Sequence, residues 1–464
     1  MSSIALLRSF CVEIRSAASS SLQTGLSVAE RARSRERRAA LSGIAAASAR
    51  VVQLAASLIT VPLTIKYLGN ERFGLWMTIS SLLVMAGFAD FGLGNGLLNV
   101  IANAHGKDDA RGIQGAISSA LVALSVIGGF FLLIFLATYH AVSWADLFRV
   151  ASAQARSEAG PALLVFGICF SLNLPVGVVQ RAQIGLQQGF IANMWQLAGS
   201  LAGLLALLLC IGLHAGLPWL ILAIAGAPVA AGMLNGFIYF RVNRPDLLPR
   251  LSLVSRPTIK RITSIGAQFF MLQLVVAMAY AADNFVVART LGAASVPEYA
   301  IPQRMFAVIT MLIATLISPL WPAYGEAISR GDTAWVRKFF IKSLLFVSSA
   351  AAIASFVLLL MSHRVIDWWV GPKIHPPLLL LIGLAVWTTM ESCGSALSVF
   401  MNGAGLVRFQ IALSGLFGVC CLAAKVYLTR RFGIVGLPWA TIVTWGLITL
   451  LPSLAYLNRR MRKI

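Results

Sequence analysis

Charged side chains that could do chemistry fall inside apolar runs long enough to cross a bilayer, among them Arg50, Asp90, Asp283, Arg304 and Glu391. A bilayer core is about 30 Å thick, and about 20 apolar residues cross it as helix. An ionised group placed there is costly and by default marks a functional site. Each of four has polar company at helical spacing. Arg50, Gln53, Ser57, Thr60 and Thr64 share one face, as do Gly266, Gln273, Ala277, Tyr280 and Asn284 with Asp283 at the edge. Arg304 aligns with Thr315, Ser318 and Pro322, and Glu391 with Thr388, Ser395, Ser398 and Asn402. Lipid offers these groups no hydrogen bonds, so the stripes must meet protein or a wet cavity. One cavity shared by four stripes is the expectation. Arginine forks bind phosphate oxygens in pairs, and amides and hydroxyls suit sugar hydroxyls. The acids Asp90, Asp283 and Glu391 could carry a coupling ion or gate the path.

Each charge also has a plainer reading. Arg50 lies too deep to snorkel, but could pair with Asp90 or Glu391 and lock the bundle. Arg304 is near enough to a helix end to snorkel, and Lys425 is read as snorkelling outward. Asp90 could cap a half-helix, Asp283 could be a solvated structural acid, and Glu391 could neutralise an arginine. Asp90 opens a stretch with Gly92, Gly94 and Gly96, and with Asn95, Asn99 and Asn103 on one face. Its glycines allow close helix packing or a helix break.

The elements that must position these residues follow from composition. The chain has 464 residues, 58% hydrophobic and only 11% charged. A soluble chain would carry about a quarter charged residues, so this is a polytopic α-helical membrane protein. Twelve apolar spans are expected, near 40–65, 73–104, 113–138, 159–181, 188–212, 217–240, 259–289, 296–323, 338–362, 376–402, 407–428 and 433–457. With the amino terminus inside, 25 of the 37 Lys and Arg fall on the cytoplasmic side and ten outside, which places both termini in the cytoplasm. The net charge of +21 is accounted for by that bias and not by nucleic acid. The six cysteines lack metal-ligand spacing, and no cofactor is expected. The Trp residues read as interfacial anchors.

The halves resemble each other. Gly-Leu-Pro-Trp occurs at Gly216–Trp219 and again at Gly436–Trp439. The expected organisation is a disordered basic tail (1–38), an N-terminal six-helix bundle (39–240), a basic linker (241–258) acting as hinge, a C-terminal six-helix bundle (259–457) and a basic tail (458–464). Two pseudo-symmetric bundles of this kind place substrate in a central cavity.

The run Pro62–Gly69, Phe73-Gly-Leu-Trp76 and Asp90-Phe-Gly-Leu-Gly-Asn-Gly96 resembles the Wzx-type polysaccharide and O-antigen flippases. These belong to the multidrug/oligosaccharidyl-lipid/polysaccharide exporter superfamily. Asp283-Asn284, Leu291-Gly292 and Glu298-Tyr299 resemble that family's second-half entry, and the resemblance covers 40–457. It implies a flippase of the bacterial cytoplasmic membrane. The substrate would be an undecaprenyl-diphosphate oligosaccharide for O-antigen, capsule or exopolysaccharide synthesis, moved by alternating access. Implied partners are that substrate, membrane lipids, a glycan polymerase and glycosyltransferases, with H+ or Na+ as coupling ion. Substrate contacts are expected from Arg50, Gln53, Ser57, Gln273, Tyr280, Asn284 and Arg304. A multidrug extruder of the same superfamily and a non-transporting scaffold are the rivals. An enzyme is not expected, because the longest outer loop, 139–158, offers only Asp146 and Glu158 as carboxylates.

Overall fold

Helix begins at Val28, so the disorder expected of the 1–38 tail does not extend over 28–38. That segment is rich in Ala, Arg and Glu, all strong helix formers, and its Arg35 is buried. The computed structural model describes residues 28–85, 88–147, 152–291, 295–370 and 376–461.

Helix α1 (Val28–Met85) bends sharply at Gly69, where φ is 72° and ψ 171°, and so joins two helical segments. Just past the bend Arg72 grips Glu158 through two hydrogen bonds of 2.7 and 2.9 Å. Then come α2 (Leu93–Gly106), α3 (Ala110–Ala141), the short α4 (Trp144–Leu147), α5 (Ala153–Gly185), α6 (Gly189–Gly212) and α7 (Leu217–Asn243). After the linker follow α8 (Arg256–Leu291), α9 (Val296–Ile317), α10 (Leu320–Ser329), α11 (Thr333–Val370), α12 (Leu378–Gly403), α13 (Val407–Phe432) and α14 (436–461). No strand forms among the described residues. Each of the twelve expected spans overlaps one or two of these helices.

Eight helical stretches are long and apolar enough to cross a membrane, judged among the described residues. The last of them, Val407–Tyr456, contains the break at Gly433, whose φ is 65°. Leu133, Leu205, Leu209 and Leu360 stand exposed on these helices, as a hydrocarbon-facing surface requires. The chain is a multi-pass membrane protein.

The chain divides into two units between Ala267 and Gln268, inside α8. In the first, α5 packs on α3 and α2, and α6 packs on α1 and α7. One of its cores joins Leu97, Ile101, Ile117 and Val178, and the other joins Trp76, Leu163, Phe166 and Leu220. The linker is bound to this unit. Gln114 Nε2 donates to the Leu248 carbonyl at 2.7 Å, while Ser118 and Ser119 accept from the amides of Arg250 and Ser255 at 3.0 and 3.2 Å. In the second unit, α12 packs against α9, α10, α11 and α14, so it is the central helix there. Both Gly-Leu-Pro-Trp copies open a helix that ends their half, with proline in the first turn where no amide partner is lost.

Candidate functional site

Several hydroxyls of the expected polar stripes are satisfied within their own helices. Thr64 Oγ1 donates to the Thr60 carbonyl at 2.7 Å, and Thr315 Oγ1 to Met311 at 2.7 Å. Ser318 Oγ donates to Thr315 at 3.0 Å. A hydroxyl one turn along a helix can always back-bond in this way, so a hydroxyl stripe in an apolar helix does not by itself require a cavity.

In the first unit, Asp90 lies at the break between α1 and α2. Its carboxylate accepts from the Gly92 amide at 2.9 Å and the Gly94 amide at 3.1 Å, capping the N-terminus of α2. Two left-handed residues, Phe91 and Gly92, make the turn that allows it. Arg181 of α5 lies beside this cap. A Cβ on Gly94 would sit 2.7 Å from Asp90 Oδ2 and 2.9 Å from Arg181 Nε, so the glycine leaves room for both side chains. Their charges interact. Gly96 brings α2 against α8: a Cβ there would lie 2.3 Å from the Ile262 carbonyl oxygen. Gly92, Gly94 and Gly96 thus serve the break and the packing together. Arg50 is exposed, and Gln53 Nε2 donates to Ser200 Oγ of α6 at 3.2 Å. The side chain of Ser57 lies outside the described residues.

The second unit holds the denser charge cluster. Asp283 of α8 is 6% exposed, Tyr299 of α9 3% and Lys425 of α13 1%. Tyr299 Oη donates to Asp283 Oδ2 at 2.6 Å, and Lys425 Nζ forms a buried ion pair with Asp283 Oδ1. One carboxylate therefore ties three helices. Lys425 does not snorkel outward: its buried ion pair with Asp283 holds it inside. Glu391 of α12 accepts from Thr310 Oγ1 of α9 at 3.3 Å and lies within electrostatic reach of Asp283, Lys425 and Tyr299.

Glu391, Ser395 and Ser398, three members of the expected α12 stripe, line a cavity of about 340 Å³. Ser414 of α13, and Thr449 and Ser453 of α14, complete its polar wall. Trp445 and Phe417 supply aromatic walls. The remaining two members of the stripe do other work. Thr388 is buried and its carbonyl accepts from Ser392, while Asn402 accepts from Gln410 Nε2 at 2.8 Å. Gln273 is half-buried, and its Oε1 has no hydrogen-bond partner among the described residues. Arg304 is exposed. The side chains of Tyr280 and Asn284 lie outside the described residues.

Sequence reasoning therefore missed Arg181, Lys425, Tyr299, Ser414, Thr449, Ser453 and the buried Trp445. Trp387 and Trp445 pack edge-to-face in the interior at 6.0 Å, so the anchoring role expected of tryptophans fails for these two. An intramembrane lysine in the same half as two intramembrane acids, Asp283 and Glu391, was the usable signal for Lys425.

The all-helical fold defines the class. The structure matches an outward-facing multidrug-resistance transporter of the MOP superfamily with a TM-score of 0.77 at 15% identity, over 92% of this chain and 96% of that one. It matches a MOP-superfamily transporter from Pyrococcus furiosus with a TM-score of 0.76 at 14% identity, over 92% and 96%. The polysaccharide biosynthesis protein family matches residues 42–327, and the chain belongs to that family. It is 23% identical to a Yersinia pseudotuberculosis protein named for O-antigen export, over 89% of this chain and 91% of that one. It is 22% identical to a Salmonella typhi protein named for O-antigen transport, over 87% and 93%.

Proposed function

We propose that the protein translocates a lipid-linked oligosaccharide, carried on undecaprenyl diphosphate, across the cytoplasmic membrane by alternating access. The observation that carries this reading is the near full-length similarity to two proteins named for O-antigen export and transport. The chemistry agrees with it. Arg50 and Arg304 are exposed, so a diphosphate can reach their guanidinium forks. Gln53, Ser57, Gln273, Tyr280 and Asn284 supply amides and hydroxyls suited to sugars. Both termini lie in the cytoplasm on the charge bias.

The three acids divide by their bonds. Asp90 is engaged by the α2 amides and Asp283 by Lys425, which leaves Glu391, with one neutral hydrogen bond, to carry a coupling proton or cation. A multidrug extruder is the second reading, favoured by that same carboxylate, which a cationic drug could use.

Depletion should make lipid-linked oligosaccharide accumulate on the cytoplasmic leaflet. Arg50→Ala at normal protein level should reproduce it. Unchanged outer-leaflet delivery in both would sink the proposal, and drug efflux without any effect on glycan export would favour the extruder.

A further inference from the structure

We infer that the cavity beside Glu391 is a sugar subsite that takes one pyranose ring of the substrate on the cytoplasmic side. The inference rests on the transport reading above and names where the glycan would be held. Its first support is size. At about 340 Å³ the cavity falls in the range of small-molecule sites, about 300 to 1,000 Å³, and far exceeds a single water at about 30 Å³.

Chemistry is the second support. Ser453 is fully buried, and its hydroxyl has no hydrogen-bond partner among the described residues although it lines the cavity. The Thr449 hydroxyl is in the same condition. A buried polar group left unpaired costs stability, so two of them in the residues that wall one cavity favour a hydroxylated ligand that pairs with them. Glu391 adds a charged acceptor for sugar hydroxyls. Trp445 adds a flat aromatic wall, on which the C–H face of a pyranose can stack.

That wall is built and not incidental. A Cβ on Gly394 would lie 2.6 Å from Trp445 Cζ2, so only glycine on α12 lets the indole lie there. Trp387, about two turns before Gly394 on the same helix, packs edge-to-face against the indole at 6.0 Å. The turn after Trp445, Gly446–Leu450, is π-helical. Its extra residue offsets the drift of an α-helix and keeps Trp445, Thr449 and Ser453 on one face, and such π turns recur at functional sites.

Position is the third support. From Glu391 the lining runs along α12 to Met401, about 15 Å, toward the turn at 404–406. Ser414 lies two turns past that same turn, and Ser453 two turns before the end of α14. In sequence, Arg408 opens α13, and Arg459 and Arg460 fall in the last turn of α14; the charge bias assigns this end to the cytoplasm. A glycan made on the cytoplasmic face would meet this cavity before crossing.

The test uses the full chain in nanodiscs and two probes. One is the lipid-linked oligosaccharide isolated from cells depleted of this protein, and the other is undecaprenyl diphosphate without sugar. The variant is Thr449→Val with Ser453→Ala. It should bind the glycosylated lipid about tenfold more weakly, bind the bare lipid as wild type does, and melt at the same or a higher temperature, because two unpaired hydroxyls are gone. Trp445→Phe should also lose affinity for the glycosylated lipid alone. Unchanged binding in both variants, or equal loss for both lipids, overturns the subsite while leaving the transport reading standing. Wild-type protein that binds neither lipid overturns the transport reading, and the subsite with it.

Discussion

Asp90 and Asp283 are both acids in apolar helical sequence, yet the two units satisfy them in opposite ways. Asp90 is half-buried and spends its oxygens on the amides of Gly92 and Gly94, at a helix N-terminus where a carboxylate is favoured anyway. Asp283 is buried and depends on a lysine and a tyrosine from two other helices. The first acid shapes the backbone beside it. The second clamps distant helices. An acid in a membrane helix thus signals a constraint, and its neighbours decide which kind.

The largest expected effect tests the clamp. Lys425→Met leaves a buried carboxylate without its counter-charge and should cost about 3–5 kcal/mol, read as a fall in melting temperature in detergent. Adding Asp283→Asn should recover most of the loss. If the double variant melts no higher than the single one, the pair is not a clamp.

Gly96→Ala comes next. Its methyl would meet the Ile262 carbonyl at 2.3 Å, so α2 and α8 must part, at about 1–3 kcal/mol. Asp90→Ala should cost about 1 kcal/mol, the usual worth of an N-cap, and Asp90→Asn much less. Should Asn fall as far as Ala, the Arg181 charge and not the cap dominates that acid. A cost for Asp90→Ala equal to that of Lys425→Met would erase the contrast between the two units.

The smallest effect concerns the linker. Side-chain hydrogen bonds from Arg244 hold the Asp246 carboxyl below its usual range. The stabilisation is therefore present above the ordinary carboxylate pKa of about 3.9 and is lost as pH falls through the lower folded value. Hydrogen exchange over 241–258 should quicken only below about pH 4, and Asp246→Asn should remove that pH dependence.

Much of the fold was legible in the sequence, because hydropathy at bilayer length is a local property. The helices fall where the apolar runs are, and the 88–92 break falls in a glycine-rich stretch. The sites were less legible, because their partners are distant in sequence. Nothing near Lys425 announces Asp283, which lies 142 residues earlier. Arg181 reads as a loop cation until α5 is folded beside α2. Hydroxyl stripes are ambiguous for a different reason: Ser and Thr can satisfy themselves on their own helix, as Thr64 and Thr315 do. On α12, Glu391, Ser395 and Ser398 of the stripe line one cavity.

The central claim is transport of a glycan lipid, and reconstitution tests it most directly. The purified chain is placed in vesicles carrying lipid-linked oligosaccharide in the inner leaflet, and arrival at the outer leaflet is read with a membrane-impermeant lectin. Wild type should expose the glycan at a rate well above that of protein-free vesicles, and Arg50→Ala should slow it. Exposure no faster than in protein-free vesicles, from protein shown to be folded, would contradict the account.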